Sequence, residues 1–87
     1  MAKSRHEEGA LLFAYELNRA RYELKYPLFR SAHEGYAIIL EEMDELWELV
    51  KIKQKDRDYD KMRKEIIQIG AMSLAFLIEI VDTENRL

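Results

Sequence analysis

The sequence predicts an all-α protein: an antiparallel bundle of three main helices in a single domain spanning residues 1–87, completed by homo-oligomerisation. Composition is the first reason. Hydrophobic residues make up 48% of the chain, with only three Gly and one Pro to interrupt regular structure, the balance of a folded helical protein and not of a disordered one. Periodicity is the second, because apolar residues recur at intervals of three and four along three long stretches. The third is a surplus of apolar surface. A chain of 87 residues has little room for a self-sufficient core. Yet its first and third stretches are apolar on more sides than two neighbouring helices can cover, so self-association is the economical arrangement.

The first helix is expected over residues 4–26. Ser4 is a good N-cap, and Glu7 three residues on completes a capping box. The main stripe is Ala10, Phe13, Leu17, Ala20 and Leu24, while Leu11, Tyr15, Tyr22 and Tyr26 form a second strip on almost the opposite side. Pro27 ends the helix, since proline disfavours helix at the preceding residue and lacks an N–H.

After the short connection Leu28-Phe29-Arg30, a second helix is expected over residues 31–53, with Ser31 as N-cap and Glu34 closing another capping box. Gly35 in its first turn is unfavourable for a helix and suggests close packing. With Met43 set at zero and ~100° per residue, Tyr36, Ile39, Leu40, Leu46, Trp47 and Val50 fall within roughly 60° of it, a broad core stripe. Residues 54–58 form a polar turn. The third helix is expected over residues 58–81, capped by Asp58, with Met62, Ile69, Met72, Phe76 and Ile80 as its stripe. Residues 74–81 are apolar nearly all round.

Acidic residues break this pattern at two places. Glu42 and Glu45 lie near −100° and −160°, interleaved with Ile38 and Leu49, while the plain solvent face belongs to Glu34, Glu41, Asp44 and Glu48. In the third helix Glu65 falls inside the stripe, about 40° from its centre, and Gln68 flanks it. A carboxylate withdrawn from water must be paired or bound to a metal. Three carboxylates and an amide on two facing helices could share one hard cation. Alternatively, Glu65 pairs with a Lys or Arg of a neighbouring helix, and Glu42 and Glu45 are half-solvated.

Other chemistries find no support. With no cysteine, disulfides, zinc thiolate sites and thiol catalysis are excluded. His6 and His33 have no second histidine at ligand spacing, and Ser4, Ser31 and Ser73 lack the flanking pattern of a nucleophile. The formal net charge of −3 argues against a nucleic-acid partner. No apolar run approaches the ~20 residues of a membrane span, and the N-terminal residues do not read as a signal peptide, so a cytoplasmic protein without a membrane partner is expected. Tyr36, Trp47 and Phe76 could stack on a base, but their stripe positions favour packing. Lys51, Lys53, Lys55, Arg57, Lys61, Arg63 and Lys64 surround the turn between the acidic helices. They are either a solvated connection balanced by Asp56, Asp58 and Asp60, or a phosphate site in which Lys51, Lys53, Lys61 and Lys64 are the candidates.

The run Glu41-Glu42-x-x-Glu45 followed by Glu65-x-x-Gln68 resembles the E-E-x-x-E…E-x-x-D signature of the MazG-like nucleoside triphosphate pyrophosphohydrolases. These belong to the all-α pyrophosphatase superfamily that includes dimeric dUTPases and dCTP pyrophosphatases. The stretches from Ser31-Ala32-His33-Glu34-Gly35-Tyr36 to Trp47, and from Arg63-Lys64-Glu65 to Met72, are also similar to small MazG-like proteins. The resemblance implies a helical homodimer or tetramer holding Mg²⁺, or Mn²⁺, and hydrolysing a nucleoside triphosphate to monophosphate and pyrophosphate. By position, Glu42, Glu45 and Glu65 match the metal ligands, and Glu41 matches the first, supporting acid, making Glu41, Glu42 and Glu45 the candidate catalytic residues. Gln68 stands where the family has aspartate. Its amide can still ligate a metal, but it supplies no charge and cannot act as a base. The alternative is therefore a catalytically inert relative, a nucleotide-binding or structural helical oligomer.

Overall fold

The computed structural model of the chain describes residues 2–85, and the regular elements among them are all helical. Helix α1 spans Arg5–Asn18 and opens with the expected capping box: Ser4 Oγ accepts the Glu7 N–H at 3.2 Å, and Glu7 Oε1 accepts the Ser4 N–H at 3.3 Å. The helix continues through wide π-helical turns over Arg19–Glu23, where the Leu24 N–H bonds to the Arg19 carbonyl. Lys25, at φ 61°, turns the chain left-handed and brings the Tyr26 N–H to the Ala20 carbonyl at 2.9 Å. The helical path thus closes before Tyr26, by backbone geometry just ahead of Pro27.

Helix α2 spans Ala32–Val50. Ser31 caps it as expected, accepting the Glu34 N–H at 3.1 Å. The second half of the expected capping box is missing, because the Glu34 carboxylate turns outward to the N–H and guanidinium of Arg30. The helix also stops short of residue 53. Arg57 Nε donates to the carbonyls of Val50 and Ile52, both at 3.0 Å, satisfying acceptors at the helix end. A 3₁₀ turn, Gln54–Asp56, leads to α3, Tyr59–Ala75, capped by Asp58 on the Lys61 N–H. The axis runs on through π-helical turns over Phe76–Val81 into a last helical turn, α4, Asp82–Asn85.

Helix α3 packs against both α1 and α2. Leu17, Phe29, Ala71, Ala75 and Ile80 form the buried cluster, and the two alanines are fully covered. The continuous helix Tyr59–Glu84 contains a window of mean hydropathy 1.7, long and apolar enough by those criteria to cross a membrane, which corrects the expectation that nothing in the chain approaches that length. It is also the helix that supplies Ile69, Ala71, Ala75 and Ile80 to the core.

Glycines set the interhelical distances. A Cβ on Gly70 would run into the Phe13 ring of α1, whereas nothing lies within 4 Å of the corresponding position on Gly9. Ala in place of Gly gains about 1 kcal/mol of helix propensity at either site, while overpacking a close contact costs about 1–3 kcal/mol. We therefore expect opposite signs in urea denaturation: Gly9→Ala should raise the midpoint and Gly70→Ala should lower it.

The rotation of α2 is the main departure from expectation. A Cβ on Gly35 would lie 2.7 Å from the Phe76 ring and 3.0 Å from that of Phe29, so the Gly35 side of α2 is the side that approaches α3. Ile38, Glu42 and Leu49 follow it inward and are half-buried. The expected core stripe is turned away from α3 by roughly 120°, and Tyr36, Leu40, Met43 and Trp47 are exposed. Ile39, Leu46 and Val50 lie at the boundary, half-buried. The stripe assigned to α3 holds, and in the second strip of α1 Tyr15, Tyr22 and Tyr26 are exposed while Leu11 is half-buried.

Candidate metal centre

Turning α2 in this way carries its acids against α3. Glu42 and Glu45 leave α2 one turn apart, Glu65 comes from the first half of α3, and one carboxylate oxygen of each lies within 4.8 Å of the others. Glu42 Oε2 and Glu65 Oε2 are buried without a hydrogen-bond partner, while Glu45 is exposed and forms the open side. Burial, then the charge of Glu45, then the proximity of Glu65 push the Glu42 carboxyl up to about 7. The Glu65 carboxyl is also raised, by burial first and then by Glu45, against smaller opposing effects of Glu42 and Lys64.

Of the alternative reading, the solvent access of Glu42 (half-buried) and Glu45 (exposed) is present, while the basic partner expected for Glu65 is not among the ion pairs of the described residues. The ion pairs among the described residues are Arg19–Glu16, Arg21–Glu79, Arg30–Glu34 and Lys51–Glu48, and none includes Glu42, Glu45 or Glu65. Buried carboxylates without donors are costly, and three converging oxygens suit a hard cation.

Compared with protein-family models, curated proteins and solved structures, the chain matches none of them. The geometry of the site and the residues around it carry its interpretation.

Two recesses lie in this part of the molecule. One, of about 510 Å³, is lined by apolar residues such as Phe29, Ile38 and Met72 together with Glu16, Arg19, Arg21, Glu34, Glu42 and Gln68. The other, of about 350 Å³, is lined by Glu16, Arg19, Lys64, Ile67 and Gln68. Gln68 therefore borders both, beside Glu42. Glu41 is exposed and stands apart from the three clustered acids. Of the candidate phosphate lysines, Lys64 lines the smaller recess, Lys51 is held by Glu48 at 2.9 Å, and Lys53 and Lys61 are exposed and line neither recess. Arg57 of the same basic group is occupied at the end of α2.

Arg19 escaped the sequence reasoning, although it lines both recesses. It is held by Glu16 through two bonds of 2.7 and 3.0 Å. The available signal was that Glu16 and Arg19 flank the main stripe of α1, at about −60° and −120° from Phe13. That position alone does not distinguish a site residue from a surface ion pair.

Proposed function

We propose that this chain is a MazG-like, Mg²⁺-dependent nucleoside triphosphate pyrophosphohydrolase, acting as a homodimer or tetramer in the cytoplasm. The observation that carries this reading is the convergence of Glu42, Glu45 and Glu65 within 4.8 Å, with two of their oxygens buried and unpartnered. Oxygen donors alone favour Mg²⁺ or Mn²⁺ over zinc, which prefers nitrogen and sulfur ligands. Mg²⁺ ordinarily combines one or two protein carboxylates with substrate phosphates, so an open side at Glu45 fits a shared complex. The approach of Gly35 to Phe76, together with that of Glu42 to Glu65, supports an antiparallel α2/α3 pair. Tyr59–Glu84 supplies four residues to the core although only 22% of its apolar window is buried, and we take the bundle to act without a membrane; the net charge of −3 speaks against nucleic acid.

In this reading Glu42, Glu45 and Glu65 hold the ion, which when bound would polarise phosphoryl oxygens and lower the pKa of a coordinated water. Glu45, the exposed member, orients the attacking water and accepts its proton, with Glu41 supporting from the outer side. Lys64, and Arg19 once released from Glu16, reach the phosphates from the smaller recess, with Lys51, Lys53 and Lys61 further along the turn. The anhydride bond between the α- and β-phosphates breaks and pyrophosphate leaves.

Gln68 favours a second reading, a catalytically inert relative that binds nucleotide, because it brings no negative charge to the place where the family signature has an acid. A panel of ribo- and deoxynucleoside triphosphates with Mg²⁺, scored for pyrophosphate release, separates the two. We expect release from at least one triphosphate, falling at least about 100-fold in Glu65→Ala and Glu42→Gln. Metal-dependent triphosphate binding without release from any member of the panel would decide for the inert reading.

A further inference from the structure

We propose that the outward stripe of α2, formed by Tyr36, Leu40, Met43 and Trp47, is the contact surface for a second copy of this chain, packed antiparallel across a twofold axis. This rests on the oligomer included in the function proposed above, and not on its nucleotide chemistry. The four side chains are 65, 46, 47 and 59% exposed, and Ile39 and Leu46 border them on one edge. No charged residue interrupts the stripe, and Glu42 and Glu45 lie on the other side of the helix, so the contact leaves the acidic cluster free.

The whole chain has more surface than a monomer of its size should. Its accessible area is 7035 Å², whereas a folded monomer of its mass exposes about 5,400 Å². The excess, roughly 1,600 Å², exceeds the ~800 Å² per partner of a standard interface. The radius of gyration tells the same story, 14.6 Å against about 12 Å for a compact domain of this length. The missing burial is therefore on the scale of a protein interface.

The order of the residues points to a second copy as the occupant. The intervals along the stripe are four, three and four, the same from either end. A twofold axis between Leu40 and Met43 would set Tyr36 opposite the partner's Trp47 and Leu40 opposite the partner's Met43, giving two aromatic layers around two aliphatic ones. These are the intervals of a coiled-coil seam, and an isologous contact requires such self-complementarity. A lipid surface suits the stripe less well, since Glu41, Asp44 and Glu48 flank its other edge and anionic headgroups would repel them.

Trp47 is the chain's single tryptophan, so its fluorescence reports on this stripe alone. Mass by sedimentation and Trp47 emission should be followed together as the full chain is diluted from about 100 µM to about 0.1 µM. The wild type should have at least twice 10.4 kDa at the higher concentration, with emission moving to longer wavelength as it dissociates. Met43→Lys, at a site exposed in the isolated chain and so compatible with folding, should halve the mass and hold the emission at long wavelength throughout. Its dissociation constant should rise at least about 30-fold. A wild type that is monomeric at the higher concentration overturns the proposal. So does a Met43→Lys variant of unchanged mass, or Trp47 emission that stays solvent-exposed in an oligomer, either of which moves the interface elsewhere. Pyrophosphate release is a separate readout and does not enter this decision.

Discussion

Freed of divalent metal, the protein should lose stability as the pH is raised from about 5 to about 8, by on the order of 1–2 kcal/mol once solvent screening at this partly exposed site is allowed for, and millimolar Mg²⁺ should restore it. The main cause is Glu42, whose carboxyl is lifted from 4.5 to about 7 by burial, by the charge of Glu45 and by Glu65. Between those two values the folded chain holds a proton that the unfolded chain has released. The unfolded state then binds fewer protons, and stability falls with rising pH. Below the lower value both states are protonated and the penalty vanishes; above the higher one both are ionised and it is complete. Glu65, also raised, acts in the same direction. The carboxyl of Glu34, lowered by Arg30, has the opposite sign, but its contribution is lost only as the pH falls below 4.5, outside this window. A cation bound only by the folded state reverses the loss by mass action. Urea midpoints at pH 5, 6.5 and 8, with chelator and with Mg²⁺, at one protein concentration, measure both effects. Glu42→Gln should flatten the metal-free profile, raise its midpoint at pH 8 and remove most of the gain from Mg²⁺. A midpoint at pH 8 that ignores metal in the wild type would sink the metal centre.

How much of this could be read in advance depends on the range of the interaction responsible. The caps at Ser4, Ser31 and Asp58 were legible because each is a contact between a side chain and a backbone N–H three residues on. Glu65 was legible as an anomaly because helical periodicity alone places it within the stripe of α3. The rotation of α2 was not. That helix is apolar on one side through Tyr36, Leu40, Met43 and Trp47, and partly apolar on another through Ile38 and Leu49, and periodicity cannot say which side meets α3. The choice falls to Gly35, whose missing Cβ admits Phe29 from the preceding loop and Phe76 from the far end of α3. The same limit hid Arg19, and it hid the pairing of Arg21 with Glu79, 58 positions apart. The turn at Lys25 was hidden for a local reason, since neither Gly nor Asn marks the left-handed residue.

Replacing Glu79 by Ala should cost the fold about 3–5 kcal/mol, a large share of the stability available to a domain of this size. Arg21 and Glu79 join the π-helical turns of the first and third helices through two bonds, of 2.8 and 2.9 Å. Their side chains are only 11 and 5% exposed. Glu79 Oε1 also accepts the Phe29 N–H at 3.0 Å, and the Arg21 guanidinium lies 5.2 Å from the centre of the Phe29 ring. Truncating Glu79 thus leaves both a largely buried cation and a backbone N–H without their acceptor. Phe29 is the ring that meets Gly35, so a loosened Phe29 also loosens the contact that sets α2 and, through it, the approach of Glu42 to Glu65. Glu79→Gln can still accept the Phe29 N–H and should cost less. A paired Arg21→Met, Glu79→Leu change removes both charges together and should recover the part of the loss due to the stranded cation, while the Phe29 N–H stays without its acceptor. Urea midpoints of the wild type, Arg21→Met, Glu79→Leu and the double variant close the cycle. If Glu79→Ala costs under about 1 kcal/mol, the pair is acting as a solvated surface bridge. If instead the cost is large, the metal-induced stabilisation should shrink along with it in Glu79→Ala and in the double variant alike, since both lack the Glu79 acceptor that holds Phe29.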